Sequence, residues 1–406
     1  MKYDFTIEEL MSRLSCKRWP ARFRGFYDEV REALRKNGHP LLDPAYYDEL
    51  NEKYRVLPTY KELYKEVAAK IAASEELSLY FALLCRALCD RDLIKADLDE
   101  LDMPQPREGL DPVACRVLPG LAICQSIPAV YEVMKKRGVP DDILYPSLRV
   151  AEAGVSFYMD RHNGEAGYAN FGWWQRAYDA TIYSVGRLEM EIPREFPSTY
   201  AVYGNEAGDT VVFAKDMKLH RDGFAFGSYL YEDEEGAWTP TFEETEDSYV
   251  GHPFLANGYV SREKRTLSKK EWHPVLEGGD PVIGLHIPGG GGMTVEAVED
   301  SFSRMRELLK NCFPEYDCKA FTCASWLIDP ALVDILGADS NISKFCSRFT
   351  PMCMKSAARG VFTFIFGKTD SDFEYSELPE NSRLERGLKN HYMSGKAIYE
   401  MYGFFL

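Results

Sequence analysis

Residues 281–310 read PVIGLHIPGGGGMTVEAVEDSFSRMRELLK: an apolar run enters four consecutive glycines and leaves as a helical pattern. Val295, Val298, Phe302, Met305 and Leu309 recur at the 3.6-residue period of an amphipathic helix, and Thr294 stands where its N-cap belongs. A strand that turns at once into a helix points to a layered α/β unit. Four glycines at that junction let the backbone approach a ligand closely, and their N–H groups, with the positive end of the helix, suit a phosphate or pyrophosphate. A flexible surface turn is the alternative. Glu296, Glu299 and Asp300 lie in the first two turns, where they favour the helix dipole but repel an anion; Arg304 and Arg306 offset this only from further along. The chain has no GxxxxGK[ST] and no GxGxxG opening a βαβ unit, which argues against a P-loop NTPase and leaves little support for a dinucleotide fold.

A chain of 406 residues suggests two or three domains. The first 150 residues read mostly as helix. Thr6 to Glu9 fits a capping box, and helical spacing recurs at 26–36, 60–88, 128–137 and 145–160, with Gly138 and Pro140 as a stop. Residues 102–112, with three prolines and a glycine, read as a linker or long loop. From about 184 the texture changes. Residues 184–192 alternate as a strand does, 199–203 and 210–215 form a hairpin pattern around NEAGD, and 223–231, 249–251 and 259–260 continue in strands and turns. Residues 232–247 hold eight acids, the pattern of a solvated loop. The last third alternates: strands at 280–288, 319–328 and 360–366, helices at 294–310, 330–336 and 384–402.

The net charge of −16 and the lack of a basic run argue against a nucleic-acid partner. The start lacks a secretory apolar core. The most apolar stretch, 117–134, carries two prolines, a Gln and a Glu, so no membrane span or membrane partner is expected. Ten cysteines without a CxxC pair read as reduced thiols in the cytoplasm, with Cys85 and Cys89 one turn apart as helix packing. Seven histidines without HxxxH or HExxH spacing indicate no metal site.

The ordered set GRLEMEIP, GLHIPGGGGMT, CASWLIDPALVDIL and YGFFL resembles a bacterial family of acyltransferases, and the likeness covers nearly the whole chain. Its members join a helical N-acyltransferase N-terminal domain to a GNAT-like C-terminal domain. The resemblance implies acetyl-CoA or another acyl-CoA as co-substrate, lying between two splayed parallel strands, here 282–287 and 321–327. It places the pantetheine arm along Leu285 and Ile287, and the pyrophosphate at Gly289, Gly290, Gly291, Gly292, Met293 and Thr294. PGGGGM stands where better-known GNAT proteins have [RQ]xxGx[GA].

Individual residues carry the chemistry that this implies. His286 ends its strand at the cleft and could take a proton from an acceptor amine, or be a satisfied structural histidine. Glu189 and Glu191 share one face of a strand, as a general base or as a solvated edge. Ser325 and Cys323 share a face of the next strand, where either could bond the thioester carbonyl, the leaving thiolate or an intermediate. Cys323 with His286 would be a nucleophilic pair. Trp326, Trp173 and Trp174 are core residues or stacking walls, Asp329 is read as a helix cap, and Asn341 as bonding backbone in preference to a ligand.

The expected fold class is α/β (α+β): a mainly helical domain over 1–150, then over 151–406 a GNAT-like mixed sheet with flanking helices and β-hairpin insertions, β-rich at about 196–280. The expected activity is acyl transfer from acyl-CoA to an amine or hydroxyl of a small-molecule or peptide acceptor, by direct attack, with His286, Ser325 and Glu189 as catalytic candidates. The alternatives are a non-catalytic GNAT-like binding or regulatory module and a hydrolase using Cys323 and His286. The sequence leaves the oligomeric state open.

Overall fold

Thr6 accepts a hydrogen bond from the Glu9 N–H, and the Glu9 carboxylate takes the Thr6 N–H, so a capping box starts helix α1 (Ile7–Arg13). The computed structural model describes residues 2–89, 101–169, 176, 178–368 and 372–406. Its chain divides into two units, 1–183 and 184–406.

The first unit is helical. After α1 come α2 (Phe23–Asn37), α3 (Ala45–Tyr54), α4 (Lys61–Ala73) and α5 (Glu75–Leu88). The periodic stretch 60–88 is thus two helices. Ser74 leaves helical geometry and its hydroxyl accepts from the Leu77 N–H, so it ends α4 and caps α5. Asp111 caps α6 (Pro112–Ile123), and a 3-10 turn leads into α7 (Ile127–Lys136). The run Pro112–Lys136 is long and apolar enough to cross a membrane, contrary to the sequence expectation, but 72% of its most apolar window is buried inside the protein. Helices α8 (Asp141–Ser147) and α9 (Val150–Met159) follow. The expected boundary at 150 therefore falls too early. The buried Glu152 carboxylate accepts from the Thr59 and Tyr60 N–H groups at 3.0 and 3.3 Å, and the Tyr64 hydroxyl donates to the Ala151 carbonyl at 3.0 Å. These bonds tie α9 to the start of α4.

The second unit is built on a six-stranded sheet of order β1-β2-β9-β10-β12-β11, formed by β1 (Ile182–Val185), β2 (Leu188–Glu195), β9 (Pro281–His286), β10 (Ala320–Ser325), β11 (Thr350–Cys353) and β12 (Met401–Phe405). β3 (Tyr200–Gly204), β4 (Thr210–Ala214) and β8 (His273–Leu276) make a second sheet, and β5 (Phe242–Glu244), β6 (Ser248–Gly251) and β7 (Arg265–Ser268) a third. β9 and β10 run parallel, which requires a crossover, and helix α10 (Val295–Cys312) supplies it. Cross-strand partners share a face. On one face lie Ile283, Leu285, Phe321, Cys323 and Phe405; α10 covers it, with Phe302 edge-on to Phe321 and Phe405 at 5.4 and 5.1 Å. On the other face Val282, Ala320, Tyr402 and Phe404 pack with Phe196, Tyr200, Val202 and Leu276.

Two expectations near the C-terminus fail. Residues 360–366, expected as a strand, begin with helix α13 (Gly360–Phe364), because a short apolar run carries no period that separates the two states. The helix expected over 384–402 stops early, as α14 (Arg383–Met393), and the chain end becomes β12 between β10 and β11. Short helices α11 (Ala331–Leu336) and α12 (Asn341–Cys346) complete the unit.

Asp329 links these pieces, since its carboxylate takes the Ala331 N–H and the Tyr399 N–H, each at 2.9 Å. The N-cap of α11 is Pro330, and Asp329, expected as the cap, stands one residue before it and serves the helix start through the Ala331 N–H. Burial pushes its carboxyl pKa up from 3.8 to about 6, against the pull of those two N–H groups. The folded state therefore holds a proton that the unfolded chain gives up near pH 4. That stabilisation is complete below the unfolded value and is lost as pH rises through about 6. A difference of about two in pKa corresponds to roughly 3 kcal/mol. Asp329→Asn cannot ionise, so the stability of the wild type relative to this variant should fall by about 3 kcal/mol between pH 4 and pH 7 in urea unfolding. A constant difference would refute this account of Asp329.

Candidate active site

The β9–β10 ladder runs from Val282–Ala320 to Leu285–Cys323 and stops there, although both strands go on. His286 still pairs with Glu189 of β2, while Ala324 and Ser325 pair with Tyr402 and Met401 of β12. Each strand keeps its outer neighbour and leaves its inner one. The parallel pair opens into a gap at its C-terminal end, where Ala324 is exposed and His286 is part-exposed.

His286 points to the face away from α10, together with Glu189 and Glu191. Its Nε2 lies 2.9 Å from Glu191 Oε2, and the Glu191 side chain is 9% exposed. The same oxygen receives Arg194 Nη1 at 3.4 Å. Glu191 stands across from Gly284, and a Cβ on Gly284 would come within 3.3 Å of Oε2. The missing side chain is what lets the carboxylate lie under the imidazole. Glu189 sits directly across from His286 and takes a long bond, 3.5 Å, from the Ser184 hydroxyl. Burial raises its carboxyl pKa, against the lowering influence of His286, Ser184 and Arg187.

The structure does not bring Ser325 to this group. The register sets Thr322 against Gly284 and Cys323 against Leu285, so Cys323 and Ser325 lie on the α10 side of the sheet and His286 on the other. The Ser325 hydroxyl accepts from the Leu327 N–H and caps the 3-10 turn at Trp326–Ile328. Cys323 is buried, and burial pushes its thiol up to about 12, so the pair with His286 fails on geometry and on thiolate supply. Trp326 is buried, a core residue rather than a wall of the gap. Trp173 and Trp174 lie outside the described residues. Asn341 opens α12, whose cap is Ser340.

Beyond β9, Ile287 and Met293 are half-buried, and Gly289 to Gly292 are exposed. Gly290 and Gly291 have φ of 74° and 65°, the left-handed region where glycine is favoured. The Thr294 hydroxyl accepts from the Ala297 N–H at 3.3 Å and caps α10, and Leu285 is the last buried residue of the ladder. A cation that sequence reading missed lies against this loop. Arg187, in the β1–β2 turn, donates Nε to the Gly292 carbonyl at 3.2 Å, and its backbone N–H donates to the Ser301 hydroxyl at 2.8 Å. Two of the three acids in the first two turns of α10 are met as well: Glu299 pairs with Arg348, and Asp300 with Arg304 at 3.5 Å, while Glu296 is exposed. At the start of α10 a pocket of about 340 Å³ is lined by Val295, Ala338, Lys344, Ser347 and Arg348. No signal in the sequence tied Lys344 and Arg348 to the start of α10, because they come near it only through the packing of α12 on α10. Among the described residues no three metal-ligating side chains gather, and all ten cysteines are free thiols.

A model of a GNAT-like C-terminal domain matches residues 182–405, and one of an N-acyltransferase N-terminal domain matches residues 45–180. No curated protein sequence matches the chain. Among solved structures, an acyltransferase in complex with decanoyl-CoA and teicoplanin superposes with a TM-score of 0.56 at 19% identity, over 98% of both chains. An acyltransferase with CoA and 10C-teicoplanin gives 0.52 at 19% over 98% of both. One with decanoyl-CoA alone gives 0.52 at 18%, over 100% of this chain and 99% of the other. These structures share the fold, and the family match spans more than half of the chain. The chain belongs to the acyltransferases that join an N-acyltransferase N-terminal domain to a GNAT-like C-terminal domain.

Proposed function

We propose that this acyltransferase takes its acyl group from acyl-CoA and delivers it to an amine of a small-molecule or peptide acceptor, with His286 receiving the proton. The parting of β9 from β10 with His286 at its end, braced by Glu191, carries this reading. The pantetheine arm would run along the end of β9 from Leu285 to Ile287, taking the place of the ladder partner lost beyond Leu285. The phosphates would lie on Gly289–Gly292 beside Arg187, with Lys344 and Arg348 close to the start of α10. The fold neighbours crystallised with decanoyl-CoA and with teicoplanin support a CoA donor and an acceptor of this kind. The free thiols support a reducing, cytoplasmic setting.

The amine lone pair attacks the thioester carbonyl, the C–S bond breaks, and CoA leaves as the thiolate. With Nε2–H donated to the Glu191 carboxylate, the lone pair of the His286 ring is on Nδ1, the atom that takes the proton of the amine. Glu191 holds the ring in place and offsets the charge of the imidazolium that forms. Ser325, spent on its turn, has no part in this step.

CoA, acetyl-CoA and decanoyl-CoA should each raise the melting temperature, with ATP and NAD as controls; a ligand at 100 times its Kd adds about 2.7 kcal/mol. Valine at Gly290 and Gly291 should abolish the shift, because both φ values are positive. Absence of any CoA-specific shift from a cooperatively folded sample would favour the non-catalytic binding module.

His286→Ala should cut turnover by at least about 100-fold while the CoA shift persists. Turnover is read as release of the CoA thiol from decanoyl-CoA, with teicoplanin and simple primary amines as acceptors. Wild-type turnover in this variant would overturn the role of His286.

A further inference from the structure

Glu191 and Arg194 are three residues apart, and in a regular strand they would face opposite sides of the sheet. They face the same side because β2 is irregular between them. Glu191 pairs with Gly284 and Arg194 with Val282, so β2 advances by three residues while β9 advances by two. The extra residue is a bulge, a device that re-aims the side chain beyond it. Here it turns Arg194 onto the carboxylate that holds His286.

A bulge breaks the ladder, and the broken ladder is filled from outside the sheet. The Tyr316 hydroxyl, in the connection between α10 and β10, accepts the Arg194 N–H at 3.0 Å. Its single proton is shared between the Arg194 and Val282 carbonyls, each at 2.7 Å. One phenol thus replaces the direct exchange that two opposed residues would make, and it binds β2 to β9 at the point where the register slips. The links run from Tyr316 to the Arg194 backbone, from the Arg194 guanidinium to Glu191, and from Glu191 to His286. Burial raises the phenol pKa, which keeps the hydroxyl protonated and able to donate.

We propose that Tyr316 is a positioning residue for proton transfer, fixing the β2 bulge so that Arg194 holds Glu191 against His286. This rests on the reading of His286 given above. Tyr316 touches no substrate; it acts through two intermediaries.

The test compares Tyr316→Phe, Arg194→Met, their double variant and His286→Ala in the CoA-release assay. Tyr316→Phe should lower kcat about tenfold with the KM for decanoyl-CoA and the CoA melting shift preserved. Arg194→Met should do the same, and the double variant should lose no more than either single. Tyr47→Phe, which deletes another buried hydroxyl bond (to the Leu41 carbonyl, 2.8 Å) in the first unit, controls for mere destabilisation and should keep kcat. A folded Tyr316→Phe with wild-type kcat, a rise in KM that matches the fall in kcat, or losses that add in the double variant would overturn the proposal. If Tyr316→Phe does not fold, Arg194→Met with wild-type kcat overturns it equally. The two readings fail separately: wild-type turnover in His286→Ala sinks the proton acceptor itself, whereas loss there with none in Tyr316→Phe sinks only the positioning role.

Discussion

One parallel pair of strands, β9 and β10, governs the second unit. Every other ladder described in its main sheet is antiparallel. A parallel neighbour cannot be reached by a hairpin, so the chain must leave the sheet after His286, cross it as α10, and return through residues 313–319. That path sets three features at once. It puts the N-terminus of an 18-residue helix beside the C-terminal end of β9, and it makes the junction a tight turn that glycine serves. It also brings Tyr316 back to the edge where β2 meets β9.

The two faces of the sheet divide the work. Phe302, Phe321 and Phe405 close the α10 face with aromatic contacts, and Cys323 is sealed among them. On the opposite face lies the aromatic core of Tyr200, Tyr402 and Phe404, and among the polar side chains of that face are Glu191, across from Gly284, and His286. A buried carboxylate is costly unless its oxygens are met. Glu191 is met by an imidazole and a guanidinium, and Gly284 gives it room. The same face that could not accept an unpaired charge thus holds a fixed one.

Features set by local pattern were legible in the sequence. The switch from apolar run to glycines to a 3.6 period located β9 and α10, and strand alternation put Glu189 and Glu191 on one face. What depends on pairing was not legible. Alternation alone does not say whether Ser325 and Cys323 face His286, because parity across two strands needs the register, and the pair Leu285–Cys323 sets them on the opposite side. Arg194 was missed because only a bulge turns it toward Glu191. The boundary at 150 failed because Glu152 answers to Thr59 and Tyr60, more than 90 residues earlier. The start of the terminal strand, Met401 and Tyr402, was absorbed into a helix because the strand's partners, Phe321 to Ser325 and Thr350 to Cys353, are far away in sequence.

The glycine loop shows the same dependence on distant partners in its electrostatics. PGGGGM contains no cation, and the helix it opens begins with acids, so by its own sequence the loop is a poor place for a phosphate. The neighbouring turn changes that balance. Gly186 has a φ of 63°, and a Cβ there would meet the Ser301 hydroxyl at 2.7 Å, so the turn can lie directly on α10 only with glycine at that position. Ser301 then fixes the Arg187 N–H, and the guanidinium lies along the loop with Nε on the Gly292 carbonyl. Arg348 and Arg304 take up Glu299 and Asp300. The charge that the loop lacks comes from β1–β2, and part of the charge it has in excess, that of Glu299 and Asp300, is neutralised from α10 itself and from the residues after α12. Whether such a loop can hold an anion therefore depends on what packs around it, and here the packing supplies the positive charge that the local sequence withholds.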